Sequence, residues 1–212
     1  MCGRYVINSD ARKLAEVFDA EVMVDLAPRY NVAPSQPVPI VRVHRDGPAV
    51  RRIELVRWGL IPHWADDPAI GNRLINARAE TAAEKPAFRD AFRYRRCLVP
   101  ADAFYEWKPV ARGRKRPYVV RRDDREPMGL AGLWEHWQDA DGNELETCVI
   151  LTAEARGPAA ELHERMPVVL ERAAWDAWLD PRQQDRAKVQ SVLDRLAMGG
   201  GRSDTSCMAI LA

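Results

Sequence analysis

Met128-Gly129-Leu130-Ala131-Gly132-Leu133-Trp134 and Thr147-Cys148-Val149-Ile150-Leu151-Thr152 are two apolar runs separated by the turn residues Asp141-Gly142-Asn143. Short apolar runs bounded by Asp, Gly and Asn read as strands of one sheet, turning between the two. Working outward, residues 38–43 and 53–58 form a second predicted hairpin through Arg45-Asp46-Gly47-Pro48. Residues 97–99 and 118–120 supply further strands. The helices are short: Ser9 or Asp10 caps one that places Leu14, Val17 and Phe18 on one face. A second covers 170–179 with Trp175 and Trp178 inward, and a third covers 183–197, ended by Gly199-Gly200-Gly201. The expected fold is α+β: one domain over residues 1–212, with mostly antiparallel strands flanked by short helices.

Composition narrows the function classes. A hydrophobic content of 47% with seven tryptophans in 212 residues describes a folded globule with one well-buried core. No stretch is apolar enough to span a bilayer, and the start has neither a basic nor an apolar leader region, so a soluble cytoplasmic protein is expected. Cysteines at 2, 97, 148 and 207 form no C-x-x-C pair, and histidines at 44, 63, 136 and 163 form no ligand motif, so no metal site and no cofactor are expected. The turn at Asp141 lacks the ligand pattern of a calcium loop. Cys97 and Cys148 sit in apolar runs, as buried core cysteines do. Net charge is only +1, so any contact with nucleic acid has to be local. Arginine makes up 27 of the 32 basic residues and suits bidentate phosphate contacts. The cluster Arg112, Arg114, Lys115, Arg116, Arg121 and Arg122 reads either as a phosphate track or as a solvated loop.

Cys2 carries the chemistry. Removal of Met1 gives one carbon bearing a free α-amine, with a pKa of about 7.7 to 8.0, and a thiol. The neutral amine attacks an aldehyde, and the neighbouring sulfur closes the imine to a five-membered thiazolidine that a lysine cannot reach.

Cys2 is accompanied by Gly3-Arg4-Tyr5, Arg29-Tyr30-Asn31-Val32-Ala33-Pro34, Trp58-Gly59-Leu60-Ile61-Pro62, Asn76-Ala77-Arg78-Ala79-Glu80-Thr81, Arg96-Cys97-Leu98-Val99-Pro100-Ala101, Phe104-Tyr105-Glu106-Trp107, Leu151-Thr152-Ala153 and His163-Glu164-Arg165-Met166-Pro167. In this order and spacing, from Cys2 to about Trp178, the chain resembles the SRAP family, the SOS response-associated peptidases that sense abasic sites in DNA. The resemblance implies a compact fold with barrel-like curled sheets and a groove holding the N-terminus. It also implies binding to single-stranded DNA containing abasic sites and a reversible crosslink to it through Cys2, a lyase-like Schiff-base activity with autoproteolytic (hydrolase) removal of Met1; a monomer is expected.

The resemblance also orders the candidate residues. Glu106, by itself readable as a surface residue of an alternating strand, corresponds to the family's acid/base glutamate, a role suited to a carboxyl raised by burial. His163, by itself readable as a satisfied helix-end histidine, becomes the second proton carrier. Asn76 orients the crosslink as an uncharged donor and acceptor. Arg4, Asn31 and Arg78 face phosphates, and Thr152 adds a hydroxyl. Trp64 reads equally as a base-stacking residue or as core. The sequence from Leu196 onward departs from the family's Val-rich final strand: either residues 207–211 replace that strand, or it is lost with one wall of the groove. Two rivals remain, a cysteine peptidase and a non-covalent single-strand binding module.

Overall fold

The computed structural model describes residues 2–46, 49–110, 113–197 and 207–211. Gly47-Pro48, Arg112 and Gly199-Gly200-Gly201, each part of an expectation above, lie outside them. In chain order the strands are β1 (Tyr5–Ile7), β2 (Ala20–Val22), β3 (Arg29–Val32), β4 (Pro37–Val43), β5 (Arg51–Trp58), β6 (Asn76–Arg78) and β7 (Arg96–Ala101). They continue with β8 (Ala103–Pro109), β9 (Lys115–Arg122), β10 (Met128–Gln138), β11 (Glu144–Glu154), β12 (Arg165–Pro167), β13 (Val169–Leu170) and β14 (Cys207–Leu211). Helices are α1 (Ala11–Phe18), α2 (Arg89–Tyr94), α3 (Trp175–Leu179) and α4 (Arg186–Ala197).

The apolar runs 128–134 and 147–152 belong to β10 and β11, which pair antiparallel from Gly132↔Ile150 to Gln138↔Glu144. Asp139 shapes their turn by accepting from the amides of Asp141 and Asn143, and Gly142 takes φ 85°, a region glycine enters without steric cost. β10 also pairs with β7, β7 with β4, and β4 with β5. A parallel contact of β5 with β11, Arg57↔Thr147 and Cys148↔Trp58, then closes five strands into a barrel. Both faces of its strands are buried: Ile40, Trp58, Cys97, Cys148 and Ile150 lie on one and Ile53 and Leu98 on the other, all fully buried.

A second sheet, in the order β14-β9-β8-β1-β3, lies beside the barrel and carries the N-terminal strand. Residues 207–211 are therefore its edge strand, paired with β9 from Cys207↔Arg122 to Leu211↔Tyr118, the first of the two alternatives for the C-terminal region.

One open choice is decided and two helix bounds need correction. Asp10, not Ser9, caps α1, accepting from Lys13 N at 2.7 Å, while the Ser9 hydroxyl is bound to Asp102. The helix expected over 170–179 is only α3 preceded by a 3-10 turn, because Leu170 belongs to β13 and pairs with Gly129. Trp175 and Trp178 still point inward, each anchoring its indole N–H on a backbone carbonyl at 2.9 Å. The last helix begins at Arg186, where Asp185 takes the amides of Ala187 and Lys188. Among the described residues no helix is long and apolar enough to cross a membrane.

Gly59 is the tightest backbone contact that serves the site. It has φ 127°, and a Cβ there would stand 2.5 Å from the carbonyl oxygen of Gly71. That approach fastens the loop between β5 and β6, which carries Trp64 at its tip and delivers Asn76 at its end. Gly59→Ala is expected to cost roughly 2 to 4 kcal/mol, as strain and overpacking together, measured by denaturant unfolding.

Candidate active site

β11 is the element around which the site assembles. Beyond the closing contact with β5, the same edge receives β6 in parallel, Asn76↔Ile150 to Arg78↔Thr152. The other edge receives β12, Thr152↔Pro167 to Glu154↔Arg165. The end of β11 is thus flanked by the Asn76 motif on one side and the His163 motif on the other.

β8 brings the carboxylate. Its side chains alternate, with Phe104 fully buried and Glu106 2% exposed on one face, and Tyr105 and Trp107 half-buried on the other. β1 runs antiparallel to it, Tyr5↔Phe104 and Val6↔Ala103, with Tyr105 N donating to Arg4 O at 2.9 Å. This brings the start of the chain to β8, where the Glu106 charge acts on the Cys2 thiol. Cys2 is fully buried. Its carbonyl accepts from Asn76 Nδ2 at 2.8 Å, and its thiol points at Arg4 O, 4.0 Å away. Asn76 Oδ1 is buried with no hydrogen-bond partner among the described residues.

Two ionisations are shifted. Burial, reinforced by the Glu106 charge, pushes the Cys2 thiol up to about 12. Burial also raises the Glu106 carboxyl above its usual value, although the N-terminal amine and His163 pull the other way. The site therefore holds a protonated thiol beside a carboxyl that keeps its proton more readily than an exposed one.

His163 is half-buried in the loop before β12, close enough for its charge to act on Glu106. Its Nδ1 accepts from the backbone amide of Arg165 at 2.9 Å. Cys2, Asn76, Glu106 and His163, separated by up to 161 positions in the chain, are thus gathered at one place.

The residues expected against phosphates divide. Asn31 and Arg78 are exposed and Arg4 is half-exposed, its guanidinium donating to Gly3 O at 3.4 Å. Thr152 is 2% exposed, and its hydroxyl donates to Ala77 O and accepts from the Arg165 guanidinium, each at 3.4 Å. Trp64 is 51% exposed, so of its two readings the core one does not hold. Its loop is held by Trp137 of β10, whose Nε1 donates to Ala65 O at 2.6 Å; Trp137 pairs with Leu145 of β11, well before the Ile150 that Asn76 pairs with. Sequence reasoning passed over Arg165 and Glu80, which form a bidentate ion pair with N–O distances of 2.7 and 2.9 Å beside His163. Both lie inside quoted motifs, and an Arg two positions from a candidate imidazole was the signal. Among the described residues no group of three or more His, Cys, Asp or Glu could hold a metal ion.

A barrel flanked by a sheet that buries an N-terminal cysteine against Asn, Glu and His defines the class, and the comparisons agree. Residues 1–204 match the family model described as SOS response associated peptidase (SRAP), and the chain belongs to that family. It is 40% identical over 196 residues to the abasic site processing protein YoqW of Bacillus subtilis (strain 168), covering 91% of this chain and 86% of that one. It is 34% identical over 198 residues to the abasic site processing protein YedK of Escherichia coli (strain K12), covering 90% and 84%. The abasic site processing protein HMCES of Gallus gallus is 31% identical over 182 residues, 72% of this chain and 54% of that one. Among solved structures, a protein from Bacteroides thetaiotaomicron superposes with a TM-score of 0.81 at 27% identity, covering 91% of this chain and 86% of that one. A Bordetella bronchiseptica protein superposes at 0.80 with 25% identity, covering 100% and 99%.

Proposed function

We propose that this chain processes abasic sites: it binds single-stranded DNA at the lesion and joins Cys2 covalently to the ring-opened sugar aldehyde, shielding the strand from cleavage. The observation that carries this reading is Cys2 held through its carbonyl by Asn76 and packed beside the buried, proton-retaining Glu106. The names of its relatives point to the same lesion.

The chemistry follows from the two shifted groups. After Met1 is removed, the neutral α-amine of Cys2 attacks the aldehyde carbon, and the carbonyl oxygen becomes the hydroxyl of a carbinolamine. Glu106 gives its proton to that hydroxyl, water leaves, and an iminium forms beside the Glu106 carboxylate. The thiol, still protonated with its ionisation near 12, attacks the iminium carbon while its proton passes to Glu106. The C–S bond closes the thiazolidine, the iminium electron pair returns to nitrogen, and Glu106 recovers the proton it gave. Running the steps backwards releases the DNA. A cysteine peptidase works instead through a thiolate prepared by a cationic neighbour, and a buried thiol beside a carboxyl favours the amine-first route.

The test is incubation with a single-stranded oligonucleotide carrying one abasic site, followed by denaturing electrophoresis and intact-protein mass. A heat-stable slow band from a chain starting at Cys2 is expected. Only dissociable binding would leave the non-covalent module in its place.

Arg4 and Arg78 meet the phosphates on either side of the lesion. Arg78→Ala should weaken capture through binding alone, lowering the slope of log affinity against log salt by about 0.7, the share of one phosphate that is no longer neutralised. An unchanged slope in a salt titration by fluorescence anisotropy would return Arg78 to a structural role.

A further inference from the structure

The Arg165–Glu80 pair and the His163 ring point to a division of roles that the residue types alone do not give. A neutral imidazole has one basic nitrogen and one N–H. In His163 the Nδ1 atom accepts the Arg165 backbone amide at 2.9 Å, so the neutral ring carries its proton on Nε2. Its single lone pair is already engaged with the chain and is not presented to a substrate.

The donor of that bond is held firmly. The Arg165 guanidinium is clamped end-on by both Glu80 oxygens, at 2.7 and 2.9 Å, and also donates to the carbonyl of Thr152 on β11. The residue is paired through β12 to Glu154. His163 N itself donates to Ala159 O at 3.1 Å, and Ala155 N to Glu164 O at 2.9 Å, so the loop is fastened on both sides of the ring.

We propose that His163 serves the site as a fixed hydrogen-bond donor through Nε2, never as a base, and that Arg165 and Glu80 are the positioning residues that set this tautomer. The inference rests on the abasic-site reading above. It assigns all proton abstraction in the cycle to Glu106, leaving His163 to stabilise negative charge building on an oxygen of the sugar, as preorganised donors do.

The first measurement needs no DNA. Long-range proton–nitrogen NMR of 15N-histidine-labelled protein at about pH 9, above the titration range of ordinary imidazoles, should show the His163 ring protonated on Nε2 with Nδ1 bare. A ring protonated on Nδ1 overturns the proposal. The second measurement is capture of abasic single-stranded DNA. His163→Ala should slow it by roughly 10²-fold, the usual loss of one preorganised donor. His163→Gln, which keeps an N–H but cannot shuttle a proton, should recover at least about tenfold of that loss. Equal rates in the two variants would overturn the donor role. Glu80→Gln breaks the clamp at constant size and should mix the two ring tautomers in the spectrum and slow capture several-fold, with Glu80→Asp restoring both. A wild-type ring and rate in Glu80→Gln would remove the positioning role. If the wild-type protein forms no adduct at all, the abasic-site reading fails, while the spectrum of the free protein still decides the tautomer.

Discussion

Cys2→Ala loses the heat-stable adduct with abasic single-stranded DNA altogether while retaining dissociable binding; this is the largest effect expected. The variant keeps the α-amine, so a transient imine still forms, but no sulfur lies next to it to close the ring, and water returns the imine to aldehyde. Cys2→Ser should behave the same way, since a five-membered oxygen ring opens readily. An uncleaved N-terminal extension is as damaging for a different reason, because an amide nitrogen is not a nucleophile. Denaturing electrophoresis after heating reads all three. Wild-type adduct from the extended protein would move the chemistry to another residue.

Glu106→Gln is expected to slow adduct formation by about 10²- to 10⁴-fold with little change in DNA affinity, the usual worth of a positioned acid/base group. The same variant carries a stability signature of opposite sign. The Glu106 carboxyl is raised in the fold, so below the usual carboxyl range it is protonated whether the chain is folded or not and costs nothing. As pH rises through the raised value, the folded state has to hold a buried charge or a misplaced proton, and stability falls. Glu106→Gln should therefore melt higher than wild type at about pH 8, with the difference closing towards about pH 4. A gap that widened on acidification would show that Glu106 is paired in the fold well enough to prefer its charged form.

Much of the fold was legible because periodicity and turn chemistry agree in its central strands. The β10–β11 pair and the β4–β5 hairpin are apolar, bounded by turn residues and antiparallel to their sequence neighbours, so local pattern sufficed. The barrel-like curl was legible only through the family resemblance, since the closing contact between β5 and β11 is parallel and no local signal specifies it. Leu170 misled in the same way: its apolar pattern fits a helix face, and pairing with Gly129 makes it a strand. For the site, Cys2 stood out because removal of Met1 would leave an amine beside its thiol, but that chemistry alone was a weak signal and the motifs around it carried the reading. Glu106 and His163 needed motif context, because isolated carboxylates and imidazoles serve structure more often than catalysis. The partners of the Thr152 hydroxyl and the clamp of Arg165 by Glu80 depend on which edge of β11 each strand joins, information no single segment contains.

The closing contact between β5 and β11 also sets a timetable for folding. It joins residues some ninety positions apart and can form only after the intervening chain has been ordered, a loop-closure cost that slows the search for the native state. Asn76 and the His163 loop are both hung on the part of β11 just beyond that contact, so the two halves of the site meet only when the ring has shut. A partly folded chain on the way there has Cys2 but not the neighbours proposed to direct it. Reactivity towards abasic DNA during refolding should accordingly lag behind the recovery of strand signal and arrive with the slowest phase.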